Sequence, residues 1–313
     1  MRGNNLPAKK YKHSSPTVRR LSFECDGGSS RYIDIAKALS IVNRRGSYRQ
    51  GVYYYVNSVE VYNNESGVVD IHTLPDTWTI KNAHNRARKL WSKMNRLVSP
   101  PLISGIKPQY HDFKVYMSER HEQNGTLNPS MQGINNTAVT LSAEDWVYSK
   151  FVSADDDGDV LQSADDFTIH MIGNHVGTPD NWASISAVKS YAESRGTVAV
   201  ESPNDDNFQS NDPLVNVFDF SSEEQINEIA DNLRLDNDEP PYDINEYVGE
   251  SGNHMQQVAR INTEQDIGRV GRASGFVAPF GLICVDPFGV STGFRVVINL
   301  AVGTYGGVYA ERV

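Results

Sequence analysis

Short runs rich in Val, Ile, Tyr and Phe, separated by Gly, Asn, Asp and Pro, constrain this chain more than any other feature. Arg49 to Tyr62 (RQGVYYYVNSVEVY) is the clearest, and in its second half Val59 and Val61 alternate with Ser58, Glu60 and Tyr62. A period of two places one face in a core and the other in water, which is the pattern of a half-buried strand. The turn cluster Asn63 to Gly67 follows, then Val68 to Leu74, and the spacing predicts an antiparallel hairpin. Tyr110 to Met117, Asp145 to Ala154, Phe167 to Ile172, Gln256 to Asn262, Gly275 to Val285 and Phe294 to Tyr309 also read as strand. Eight to ten strands with no regular strand–helix alternation argue against a doubly wound sheet. They predict an all-β chain, an antiparallel sandwich of the jelly-roll type with helical and long loop insertions.

The helical exceptions are few. Thr79 to Val98 spaces Ile80, Ala83, Ala87, Leu90, Trp91 and Met94 for one apolar face, with Lys81, Arg86, Arg88, Lys89, Lys93 and Arg96 elsewhere. Pro100 and Pro101 then stop it. Ser184 to Ser194 and Ser221 to Leu233 are further helix candidates, the latter opening with a capping pattern.

Charge is distributed unevenly. Of the 313 residues, those up to Arg120 carry 20 basic and 9 acidic side chains, a net of +11. The remainder carries 9 basic and 30 acidic, a net of −21. Residues 1–20 hold Arg2, Lys9, Lys10, Lys12, Arg19 and Arg20 without an acid, and read as a flexible basic arm preceding a domain over 21–313. Tyr11 and His13 interleave with those cations, and Arg44, Arg45 and Arg49 could extend the surface. Such a set can neutralise phosphates while a ring stacks on bases, giving sequence-tolerant, salt-dependent binding of nucleic acid. A solvated tail is the alternative. Conversely, Glu201 to Glu250 carries 15 acids and one base, Arg234, and predicts acidic insertions around 200–252 on an outer surface.

Motifs for common chemistries are missing. There is no GxGxxG, no phosphate-loop lysine motif, no HExxH, no Gly-x-Ser-x-Gly and no Cys-x-x-Cys, so no enzyme activity is expected. His170 and His175 read as strand-end histidines. Cys25 and Cys284 read as buried free thiols. Asp155, Asp157 and Asp159, beside Gly158, space oxygen ligands as a Ca²⁺ site would, or form a solvated acidic turn. No other cofactor is expected. The longest apolar run, Gly275 to Val285, has 11 residues against the roughly 20 of a bilayer span, and no membrane association or signal peptide is expected.

A basic arm, a strand-rich body and no catalytic motif together resemble the capsid proteins of small circular single-stranded DNA viruses that encode a rolling-circle replication protein. Asp76-Thr77-Trp78 leading into the basic helix with Trp91, then Tyr110-His111-Asp112-Phe113-Lys114-Val115-Tyr116, carry the likeness. So does Asp236-Asn237-Asp238-Glu239-Pro240-Pro241-Tyr242. The resemblance runs from the arm to the last strand. It implies a single jelly roll whose copies close into an icosahedral shell, found in the virion and assembled inside the host cell. The partners it implies are further copies of the chain, the single-stranded DNA genome and a host surface receptor. The arm here is short for such capsids, and the basic face of the helix at Thr79 to Val98 would add to it if turned toward the genome. Two other readings are a ligand- or glycan-binding β-sandwich of lectin or adhesion type, and a glycan-cleaving β enzyme with paired carboxylates.

Overall fold

The computed structural model describes residues 17–98, 112–132, 138–153, 165–178, 181–194, 242, 246–263 and 270–313. The chain divides into two units, Met1–Tyr191 with Val248–Val313, and Ala192–Tyr247. The helix predicted at Ser221 to Leu233 and most of the acidic 200–252 insertion lie outside the described residues.

Strands β1 (Arg20–Cys25) and β2 (Arg31–Asp34) lead into helix α1 (Ile35–Asn43), followed by β3 (Val52–Tyr62) and β4 (Val68–Thr73). A long insertion then carries α2 (Trp78–Val98), β5 (Tyr116–Ser118), α3 (Glu119–Asn124), β6 (Ser130–Gln132), β7 (Ala138–Thr140), β8 (Lys150–Ser153), β9 (Asp165–Ile172), β10 (Val176–Thr178), β11 (Asn181–Ser186) and α4 (Ala187–Glu193). The chain closes with β12 (Gln256–Asn262), β13 (Val270–Ala278), β14 (Leu282–Phe288), β15 (Phe294–Leu300), β16 (Val302–Tyr305) and β17 (Ala310–Arg312). Among the described residues strand exceeds helix by more than two to one, 46% against 21%, consistent with the all-β class that the alternation predicts.

One sheet runs β13-β3-β15-β1-β6-β7, with β17 also on β3, and a second runs β12-β4-β14-β2. Every pairing in both is antiparallel. A single apolar cluster takes Leu21, Phe23, Tyr54, Val59 and Val61 from the first sheet and Ile33, Val69, Ile71, Ile283 and Val285 from the second. Burial of such side chains contributes roughly 1.5–3 kcal/mol each. Cys25 and Cys284 are buried free thiols, and burial pushes both up to about 12. A third, mixed sheet, β10-β11-β9-β5 with β8 on β9, lies within the insertion and pairs β9 in parallel with both β5 and β11.

The predicted hairpin of Arg49 to Tyr62 with Val68 to Leu74 does not form: β3 and β4 lie in different sheets. Each strand has one apolar face, and placing them on opposite walls buries both faces in the shared core. The turn between them is tied to distant loops. The Glu65 carboxylate accepts from the Ser291 and Thr292 amides, and Gly67 O accepts from the Thr263 amide. Within β3 the inward positions change phase, from Val52, Tyr54 and Val56 to Val59 and Val61. A bulge against β15 passes over Asn57 to achieve this. Opposite it sits Gly275, where a Cβ would come within 2.6 Å of Val56 O.

Other boundaries also moved. Of the strand predicted over Tyr110 to Met117, Tyr110 and His111 lie outside the described residues, and from Asp112 on only β5 is strand, because the Lys114 amide bonds Ser149 Oγ and the Val115 amide bonds Gln50 Oε1. The helix predicted from Ser184 starts at Ala187, since Ser184 to Ser186 pair with β9 and Ser186 Oγ accepts from the Lys189 amide. The run Gly275 to Val285 is two strands of different sheets, joined by a turn at Pro279–Gly281 in which Phe280 has φ 57°.

Candidate nucleic-acid interface

The chain enters the fold beside the C-terminal end of α1. Asn43 holds Val18 on both sides: its Oδ1 accepts from the Val18 amide at 2.8 Å, and its Nδ2 donates to Val18 O at 3.1 Å. Thr17 Oγ1 donates to Gly306 O and accepts from Arg45 Nη1 at 3.2 Å. Arg44, which ends α1 in the left-handed region at φ 50°, is exposed next to it. Of the sequence-predicted residues, Arg44 and Arg45 are therefore brought to the point where residue 17 joins the body.

Arg19 and Arg20 fall differently. Both were expected in the flexible arm, yet Arg19 O accepts from the Leu300 amide and Arg20 opens β1. The Arg20 guanidinium bonds Glu60 at 3.0 Å and Tyr62 Oη at 3.3 Å, so its charge is already matched. Arg2, Lys9, Lys10 and Lys12 lie outside the described residues, as do Asp155, Asp157 and Asp159 of the Ca²⁺ reading. Among the described residues no group of three or more His, Cys, Asp or Glu is placed to hold a metal ion.

Arg44, Arg45, Arg49 and Lys114 line a cleft of about 460 Å³, whose lining also includes Asp112, Glu144 and Asp145. Arg49 pairs with Asp112 at 3.6 Å. Lys114 stands 4.7 Å over the Trp146 ring, and burial lowers its pKa. Arg49 and Asp112 also line a second cavity, which reaches Arg88 on α2. The basic groups at the end of α1 are thereby joined to those of the helix.

Helix α2 carries six of the basic side chains. Its 21 residues span about 31 Å at 1.5 Å per residue and include no Asp or Glu. Ile80, Ala83, His84 and Ala87 are buried. At about 100° per residue, Lys81, Arg86, Arg88, Lys89, Lys93 and Arg96 share an arc of roughly 160° on the other side. Lys81 is committed to Asp76 at 3.0 Å and Arg86 to Ser190 O at 2.7 Å. Arg88, Lys89, Lys93 and Arg96 are exposed and have no carboxylate partner among the described residues. The sequence reading brought these four in only as the basic face of the helix, and it did not name Arg312, which lines the second cavity. The signal for the helix was the acid-free stretch itself; nothing in the sequence marks Arg312.

The histidines read as strand-end residues are structural. His170 sits between Ser184 Oγ at 2.8 Å and Asn174 O at 2.9 Å, and burial lowers it to about 4. His175 Nδ1 accepts from the Ser186 amide. No helix among the described residues is long and apolar enough to cross a membrane. Comparison with protein-family models, with curated proteins and with solved structures gives no match to this chain.

Proposed function

We propose that the chain is a shell-forming viral capsid subunit built on a single jelly roll, packaging single-stranded DNA with its basic arm and α2. The observation that carries this reading is the strand order. Four pairs nest around the long insertion: β1 with β15, β2 with β14, β3 with β13, and β4 with β12. Their orders, β1-β15-β3-β13 in one sheet and β2-β14-β4-β12 in the other, are those of an eight-stranded ribbon wound on itself. The same winding serves lectin-like binding modules; the acid-free basic face of α2 and the arm favour a polyanion as the partner.

The location in the virion and the assembly of many copies follow from that reading. Negative-stain micrographs of the purified full chain are expected to contain closed particles. A monodisperse monomer near 34.8 kDa across neutral buffers and salt concentrations would overturn it. Removing residues 1–16 is expected to leave particles that hold less nucleic acid, with a flatter salt dependence of binding. Unchanged nucleic-acid content would take the arm out of packaging.

A further inference from the structure

The cavity beside α2 contains a buried polar group with no partner. His84 is 1% exposed, and neither ring nitrogen makes a hydrogen bond. Its ring stands 4.3 Å from that of Phe280 and 5.3 Å from that of Phe113. Burial and the neighbouring Arg88 guanidinium push the imidazole down to about 3. At neutral pH it therefore keeps one donor and one acceptor nitrogen, both buried. A buried polar group that the chain leaves unpaired calls for a partner from outside it, such as an ordered water, an ion or a ligand.

The same cavity, about 620 Å³, is lined by His84, Arg49, Arg88, Arg312, Phe113 and Tyr305. That volume falls within the roughly 300–1,000 Å³ of small-ligand clefts. Of its two acidic side chains, Asp112 is paired with Arg49, and Glu311 is an anion that accepts from the Tyr55 and Tyr309 hydroxyls. Arg88 and Arg312 have no carboxylate partner among the described residues. Two unmatched guanidinia suit the oxygens of a phosphate ester, aromatic rings suit a base, and a neutral imidazole suits a base edge or a phosphate oxygen.

We infer that this cavity binds one nucleotide, with the phosphate held by Arg88 and Arg312 and the base placed against Phe113, Tyr305 and His84. The inference deepens the packaging reading and rests on it only for the source of the nucleotide, a unit of the packaged strand or a free molecule.

Calorimetry on the full chain tests it, with thymidine 5′-monophosphate as the probe and inorganic phosphate, thymidine and a ten-residue oligothymidylate as comparisons. The monophosphate is expected to bind at least tenfold more tightly than phosphate or thymidine. Arg88→Gln and Arg312→Gln are each expected to weaken it about tenfold, or about 1.4 kcal/mol. His84→Gln is expected to weaken it as well. Because that variant could disturb packing, the exposed arginine variants decide the outcome if it does. Arg260→Gln, which removes a surface pair with Asp70, is expected to bind as the unaltered chain does.

Competition by the oligothymidylate would assign the site to a packaged strand, and its absence to a free nucleotide; both support the inference. Equal affinity for inorganic phosphate, no binding of the monophosphate, or unchanged binding by both arginine variants would overturn it. Micrographs judge the shell separately: closed particles with a silent cavity reject only the nucleotide site, and nucleotide binding without particles rejects only the shell.

Discussion

The two-sheet core and the insertion between β4 and β12 bury different chemistry. Between the sheets, aliphatic and aromatic side chains such as Leu21, Phe23, Val59, Val69 and Ile283 pack with almost no exposure. The insertion instead buries polar groups joined in chains. His121 Nδ1 accepts from the Met117 amide, and its Nε2 is 2.7 Å from Thr126 Oγ1, which lies 2.5 Å from Tyr148 Oη. His170 bonds Ser184, and Thr168 is hydrogen-bonded to both Ser184 and Glu122. Apolar burial is insensitive to protons, whereas a buried histidine is stable only while neutral. The difference teaches that the insertion is the part of the fold which acid should reach first.

The largest expected effect therefore comes from pH. Burial lowers His84 and His121 to about 3 and His170 to about 4, against about 6.5 in an unfolded chain. Between those values the unfolded state binds protons that the folded state excludes. The stabilisation is thus complete above pH 6.5 and is lost as pH falls, down to about 4 for His170 and about 3 for His84 and His121. At about 1.4 kcal/mol per pKa unit, His170 alone loses about 3 kcal/mol by pH 4. Hydrogen exchange should find β9, β11 and α2 opening between pH 6.5 and 4.5 while β1, β3 and β15 stay protected. Simultaneous opening of both regions would erase the contrast.

Next in size is Phe23→Ala, expected to cost about 3–5 kcal/mol in chemical denaturation because it empties the centre of the shared core. That loss should be nearly the same at pH 7 and pH 5.5 once each is compared with the unaltered chain at that pH. A smaller cost, about 1–2 kcal/mol, is expected for Ser184→Ala, which strips a hydrogen-bond partner from buried His170. Its effect should show in exchange of the inserted sheet before it shows between the two facing sheets. Smallest is Arg260→Ala. The Arg260–Asp70 pair is bidentate, but Arg260 is exposed, so the change in melting should correspond to less than about 1 kcal/mol.

Legibility from sequence followed the same division. The alternating run of β3, the strand-like composition of β12 and the amphipathic period of α2 are local signals, and each appears nearly where its residues place it. The parallel partners of β9 and the backbone bonds taken by Gln50 and Ser149 left no local trace, since each depends on a group far along the chain. At the candidate interface, Arg44 and Arg45 could be picked out as a basic pair, whereas the pairing of Arg20 with Glu60 could not.

By itself the sequence determined the all-β class, the long helix α2 with its acid-free face, and the burial of both cysteines, because periodicity and composition act over neighbouring residues. Tertiary structure alone decided that β3 and β4 stand on opposite walls. It also decided that Arg49, Arg88 and Arg312 surround one cavity with His84, whose polar atoms are left unpaired there. Those outcomes depend on contacts between residues tens to hundreds of positions apart, and no local pattern encodes which of many compatible partners the closed chain will select.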